Sequence, residues 1–141
     1  MRAENEFIQL HSQEAEQSVL GGLMLDNLAW DKVSDFLTAE QFFDRAHQLI
    51  ARSLFALLSD GKPTDVVTMV EVLQAHGHAD TIGGLEYLVS LVQNTPSAAN
   101  IRRYAEIVAE KAVARNAIHI TSEMVENLQT PKGVRAAELV D

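Results

Sequence analysis

The chain has 141 residues, 47% of them hydrophobic, no cysteine, and a formal net charge of −9. That length supports one domain with its own core, the missing cysteines exclude disulfides and thiol chemistry, and the negative balance argues against a protein-wide field for phosphate backbones. No stretch reaches the ~18 apolar residues of a membrane span, and Glu4 and Glu6 stand where a leader would be basic, so a soluble, cytoplasmic protein is expected.

Every strong segment has helical period, so the expected fold class is all-α. Residues 1–11 read as a flexible tail. Ser12 is placed as an N-cap with Glu14 and Glu16 in the first turn, where the helix dipole favours anions. Ala15, Val19, Leu20, Leu23 and Met24 follow at helical spacing. Gly21 and Gly22 interrupt that run at ~1 kcal/mol each relative to alanine, which points to close backbone contact with a neighbouring element. Asp26 and Asn27 end the helix. A second short helix over 29–37 turns Trp30, Val33 and Leu37 inward, and Thr38 with Gln41 forms a capping-box pattern before Phe42 and Phe43.

A third helix over 45–59 carries Leu49, Ile50, Leu54, Phe55, Leu57 and Leu58 as core, and Asp60, Gly61, Lys62 and Pro63 stop it. Thr64 or Asp65 caps a fourth helix over 66–76 with Val67, Met69, Val70 and Leu73 buried; a strand over 66–70 is conceivable, but no partner strand is evident. Residues 76–84 form a loop and 85–92 a fifth helix.

The longest segment runs from 96 to 128, with Thr95 as cap and Pro96 at the first helical position. Its apolar face changes sides. Ile101, Tyr104, Ala105, Val108 and Ala112 share one face, and after Ala112 the apolar positions are Val113, Ala117, Ile118, Ile120, Thr121, Met124, Val125 and Leu128, centred roughly opposite. Either two helices meet at a bend near Ala112, or one continuous rod of ~45 Å docks on a head at its start and projects as an arm. An arm with so broad an apolar face has to be covered by something. After a turn over 130–133, residues 134–141 restart a helix that ends without a cap, as a cut chain would.

The search for catalytic groups is mostly negative. A phosphate-binding loop needs a glycine-rich turn ending in lysine and a hydroxyl residue, and here Gly61 and Lys62 lead into Pro63. Gly83 and Gly84 open a helix without a nearby basic residue, which reads as a helix-start turn. His76, Gly77 and His78 read as a polar turn, because no cysteine or second ligand cluster accompanies them. Asp44 and His47 share a helical face but lack the further carboxylates of a di-metal bundle, so a cap followed by a half-buried histidine is expected. On its own residues the chain is a binding or assembly module and not an enzyme.

Several blocks then support a resemblance. Residues 12–21 (SQEAEQSVLG) resemble the first helix of DnaB-type bacterial replicative helicases. So do Phe42 and Phe43 with His47 and Ile50, residues 61–68 (GKPTDVVT), 83–88 (GGLEYL) and 94–101 (NTPSAANI), followed by Tyr104, Ala105, Ile107 and Val108. The blocks fall in the family's order and span about 12–128. Leu10 and His11 replace a usual proline-containing pair, and Gln13 replaces an apolar residue.

The resemblance implies the N-terminal collar of a hexameric, ATP-driven helicase that unwinds DNA at the replication fork. It implies a globular helical head over 12–100 and a helical hairpin over 101–141, cut within its second arm. The ATP and magnesium sites would lie in a motor domain beyond Asp141, with no cofactor in this fragment. The implied partners are a second copy of the chain, with three hairpin pairs closing a ring, then primase and, in some bacteria, a loader; DNA would be met only through the full ring. By motif, Glu14 and Tyr87 on the head and Ile118 and Met124 on the hairpin match primase-docking positions. The alternatives are a first-turn dipole partner for Glu14, a buried aromatic for Tyr87, and intra-hairpin core for the other two. Val113, Ala117, Ile120, Thr121, Met124, Val125 and Leu128 are the expected oligomerisation residues. A stand-alone all-α adaptor or regulator with the same collar fold is the alternative in a different class. Direct DNA binding by Arg102, Arg103, Lys111 and Arg115 is disfavoured, because these charges spread around the helix.

Overall fold

The structure, a computed structural model, describes residues 10–129. It is all-helical: α1 (Gln13–Leu25), α2 (Arg45–Ser59), α3 (Val66–Ala75), α4 (Gly84–Gln93) and α5 (Ile101–Gln129) are joined by two short 3-10 helices, Asn27–Lys32 and Ala39–Gln41. The expected tail over 1–9 and the expected second arm over 134–141 lie outside the described residues.

Side-chain caps set most of the boundaries. Ser12 Oγ accepts the Ala15 N–H at 3.2 Å, Asp44 Oδ1 accepts Ala46 N–H at 2.8 Å, and Asp65 Oδ2 accepts Thr68 N–H at 3.2 Å, each meeting a donor that the first helical turn leaves open. At the second capping-box position, Thr38 N–H donates to Gln41 Oε1 at 2.9 Å. That turn closes after three residues and sends Phe42 into the core while Phe43 stays half exposed.

Three expectations fail, each for a local reason. The helix expected over 29–37 is a 3-10 helix over Asn27–Lys32 followed by turns, because Asp26 accepts Leu28 N–H and Asn27 Nδ2 reaches back to Leu23 O at 2.8 Å, tightening the chain two residues early. Val33 and Leu37 are nonetheless buried, and Trp30 lies with its ring 4.7 Å from Phe55. Val67 was expected in the core and is 62% exposed. It stands about 200° around α3 from Met69, so the buried Met69 and Leu73 turn it outward. Finally, α5 begins at Ile101 and not at Pro96, because the Thr95 hydroxyl donates backward to Leu91 O at 2.8 Å and leaves residues 94–100 as a connection.

α1 runs through the middle of the head against α2, α4 and α5. Its glycine pair makes the close approach expected from the sequence. A Cβ at Gly21 would lie 2.2 Å from Thr95 Oγ1 and 2.4 Å from Leu91 O, and one at Gly22 would lie 3.2 Å from Ile101 Cδ1. The end of α4 and the start of α5 therefore rest directly on the α1 backbone. α5 is continuous over its 29 residues, about 43 Å at ~1.5 Å per residue. Ile101, Ala105 and Val108 are buried, and every residue from Asn116 to Gln129 is exposed.

Gly21→Ala is expected to destabilise the head by about 3 kcal/mol, since the clash is with backbone and outweighs the helix-propensity gain of ~1 kcal/mol. Urea denaturation checks this; a variant as stable as the parent would show that α1 and α4 do not touch here.

Candidate protein-interaction site

Two surfaces stand out, a polar patch on the head and the exposed length of α5. The head patch is anchored from inside. Glu16 is 2% exposed and His47 is fully buried, with Glu16 Oε1 2.8 Å from His47 Nδ1. Glu16 also accepts the Phe43 N–H at 2.7 Å and the Asp44 N–H at 3.3 Å, so its oxygens hold the corner that starts α2. On the far side of the ring, His47 Nε2 lies 2.5 Å from the Tyr87 hydroxyl, which also accepts from Gln17 Nε2 at 3.3 Å. The two rings stack with centroids 5.8 Å apart. Gly83, at φ 94°, makes room for this: a Cβ there would lie 2.9 Å from Tyr87 Cβ.

Tyr87 thus has one wet side and one committed side, and its position is fixed by α1, α2 and α4 together. Burial pushes its hydroxyl above the ordinary value of 10.0, with Asp44 and Glu16 adding to the rise and the Gln17 bond opposing it. For Asp44, burial raises the carboxyl, but His47, the Gln13 amide, and the N–H groups of His47 and Ala46 outweigh it and hold it below 3.8. Glu14 is exposed beside this network on the first turn of α1.

The sequence reading missed the centre of this patch. The sequence suggests a dipole partner in Glu16 and a half-buried ring in His47, yet both are core. The signal was present in the periodicity: Glu16 shares a face with Val19, Leu20 and Leu23, and His47 with Ile50, Ala51 and Leu54, all buried. Two polar residues on apolar faces of different helices need each other.

On α5, Val113, Ala117, Ile118, Ile120, Thr121, Met124, Val125 and Leu128 are all exposed, Val113 at 68%. Singly exposed apolar side chains are ordinary, but a run of this length on one helix makes the face a candidate interaction surface. The basic residues nearby are largely spent on the protein itself. Arg102 donates to Lys32 O at 2.7 Å and lies over Phe36, and Arg103 pairs with Glu106 and Glu110. Arg115 donates to Leu10 O at 2.7 Å and Gln41 O at 2.8 Å and covers one side of Phe43, against which His11 stacks at 4.1 Å. Gln13 bonds Asp44 at 3.3 Å, so the residues that depart from the family pattern at the start of the chain lie against the head.

The remaining motifs bring no ligands together. His76 and His78 have ring centroids 6.4 Å apart, and no group of three or more metal-ligating side chains occurs among the described residues. No helix among them is long and apolar enough to cross a membrane.

Comparison with known proteins places this geometry. Residues 8–110 match the model of the DnaB-like helicase N-terminal domain. The replicative DNA helicase DnaB of Buchnera aphidicola subsp. Baizongia pistaciae is 43% identical over 131 residues, 93% of this chain and 28% of that protein. The DnaB of Pasteurella multocida is 39% identical with the same coverage, so the chain spans a little over a quarter of these curated relatives. The crystal structure of the N-terminal domain of DnaB helicase from Mycobacterium tuberculosis aligns with a TM-score of 0.89 at 36% identity, over 95% of this chain and 94% of that one. A DnaB-like replicative helicase, described together with its interactions with primase, aligns with a TM-score of 0.71 over 84% of this chain and 28% of that one. At 24% identity that last likeness is one of fold.

Glu16→Ala should cost about 3–5 kcal/mol, since it strands the buried His47 ring and two part-buried N–H groups, while Tyr87→Phe should cost about 1 kcal/mol. The pH limbs follow from the two shifts. Tyr87, raised in the fold, contributes stability that is fully present below 10.0 and lost as pH rises through its folded value; Asp44, lowered, contributes stability present above 3.8 and lost as pH falls through its folded value. Urea midpoints against pH should show both limbs, the alkaline one flattened by Tyr87→Phe and the acid one by Asp44→Asn.

Proposed function

The chain belongs to the DnaB-like helicase N-terminal domain family, and from that premise we propose that it is the oligomerisation and partner-docking collar of a longer, ring-forming replicative helicase. The observation that carries this reading is the division of α5. Its start is buried against the head through Ile101, Ala105 and Val108, and its remaining length is apolar, exposed and continuous. A helix that ends its intramolecular contacts halfway and keeps an apolar face has a second occupant for that face.

In this reading Val113, Ala117, Ile120, Thr121, Met124, Val125 and Leu128 meet the second arm of the hairpin and a neighbouring copy. Paired copies form a homodimer and three pairs form the hexamer. ATP and magnesium bind in the motor domain of the full-length protein, which unwinds DNA in the cytoplasm, and DNA is met through the assembled ring. The commitment of Arg102, Arg103 and Arg115 to carboxylates, carbonyls and rings of this chain supports the view that the collar is not itself the grip on DNA.

Primase is the proposed docking partner, with a loader as a further one. A protein of the same fold is described with its interactions with primase. Glu14 and Tyr87 offer a polar, rigid platform on the head, and Ile118 and Met124 lie exposed on the arm.

Ile120→Lys or Val125→Lys should shift the chain toward monomer in sedimentation velocity while leaving the helical circular dichroism signal and the urea midpoint of the head within about 0.5 kcal/mol. Equal loss of association and of head stability would show that the two faces of α5 are not separate.

A further inference from the structure

Beside Tyr87 a cleft of about 210 Å³ opens between the first turns of α1 and the last turn of α4, lined by Glu14, Gln17, Ser18, Ser90, Asn94 and, at its floor, Leu91 with Thr95. It is smaller than the ~300 Å³ at which small-molecule sites begin, and is sized for one side chain. Donors from Ser18 and Asn94 line it, and beside them stand several fixed acceptors. Ser90 donates its hydroxyl proton to Tyr87 O at 2.6 Å, so towards the cleft its Oγ can only accept. Gln17 commits one amide N–H to the Tyr87 hydroxyl, and its carbonyl oxygen remains as an acceptor beside its second N–H. Thr95 spends its hydroxyl proton on Leu91 O. Glu14 contributes a carboxylate with no ion-pair partner among the described residues.

The electrostatics point the same way. One wall is the C-terminal turn of α4, the negative end of its dipole, which holds no basic residue; the other is the N-terminal end of α1, whose positive dipole is offset by Glu14 and Glu16 in its first turn. No cationic side chain lines the cleft. Residues 12–100 carry twelve carboxylates against four cationic side chains, whereas residues 101–129 carry four of each, so the head holds nearly all of the chain's net charge of −9.

We propose that this cleft receives a basic side chain, best matched by an arginine with its several N–H donors, from the protein that docks on the head. The inference rests on the docking role proposed above and names its chemistry. Glu14 supplies the charge, Ser90 Oγ and the Gln17 carbonyl supply acceptors, and the His47–Tyr87 contact holds those acceptors in place. Glu14 is then a specificity determinant, admitting a cation and rejecting an acidic or apolar residue at that point.

N-acetyl-arginine amide is the direct probe, titrated into the isotope-labelled chain with N-acetyl-glycine amide as the uncharged control. Saturable shifts at Ser18, Ser90 and Asn94 with the arginine compound, absent with the control and weakened about tenfold in Glu14→Gln, are expected. Equal shifts with both compounds, or shifts undiminished in Glu14→Gln, would overturn the site. Binding of the cognate primase separates this from the docking role. Primase that binds the parent chain but ignores both Glu14→Gln and Ser90→Ala overturns the cleft's part in docking and leaves docking intact. An arginine response that persists when the parent chain binds no primase supports the cation site and removes the docking role instead.

Discussion

The head is organised around one carboxylate taken out of water. A buried Glu16 is tolerable only if its oxygens are matched, and the match draws in the Phe43 and Asp44 amides from one segment and the His47 ring from another. Those contacts place the start of α2, and the opposite nitrogen of the ring places Tyr87 and hence α4. Apolar burial supplies most of the stabilisation, but it is non-directional. The carboxylate is what fixes the relation of three helices at the surface where Tyr87 emerges.

Much of this was legible in the residues. Caps at Ser12, Asp44 and Asp65, the stop at residues 60–63, and the close approach at Gly21 and Gly22 follow from local chemistry that tertiary structure had no reason to override. The reversal of the apolar face on α5 was readable because it is a property of spacing alone. What failed involved competition between local and distant partners. Thr95 looks like a cap for the helix that follows and is spent on the helix that precedes. Val67 looks like core by composition and is turned outward by the register of Met69. Glu16 reads as a first-turn dipole partner and His47 as a half-buried ring, because the sequence does not show that they face each other across 31 positions.

Placed together, the surfaces divide the labour. The head is acidic, rigid and polar around Tyr87 and Glu14, suited to selective contact with a basic partner that comes and goes. The far half of α5 exposes branched and sulfur-containing side chains, suited to lasting contact with another helix. The proposed collar role would account for both, since a domain that joins subunits and also recruits a partner needs two surfaces whose chemistries do not compete.

Arg115 gives the long helix a mechanical character. It stands between the buried start of α5 and the bare far end, and its two bonds to backbone carbonyls, with Phe43 beneath, are the last ties of the rod to the head among the described residues. An unbroken helix does not absorb a sideways load by folding at its middle. At the other end Ile101 lies close against Gly22, so the rod is seated on the head on both sides of its buried stretch. The guanidinium thus sets where the arm leaves the head, and the glycine pair sets how closely the other end of the rod lies on α1.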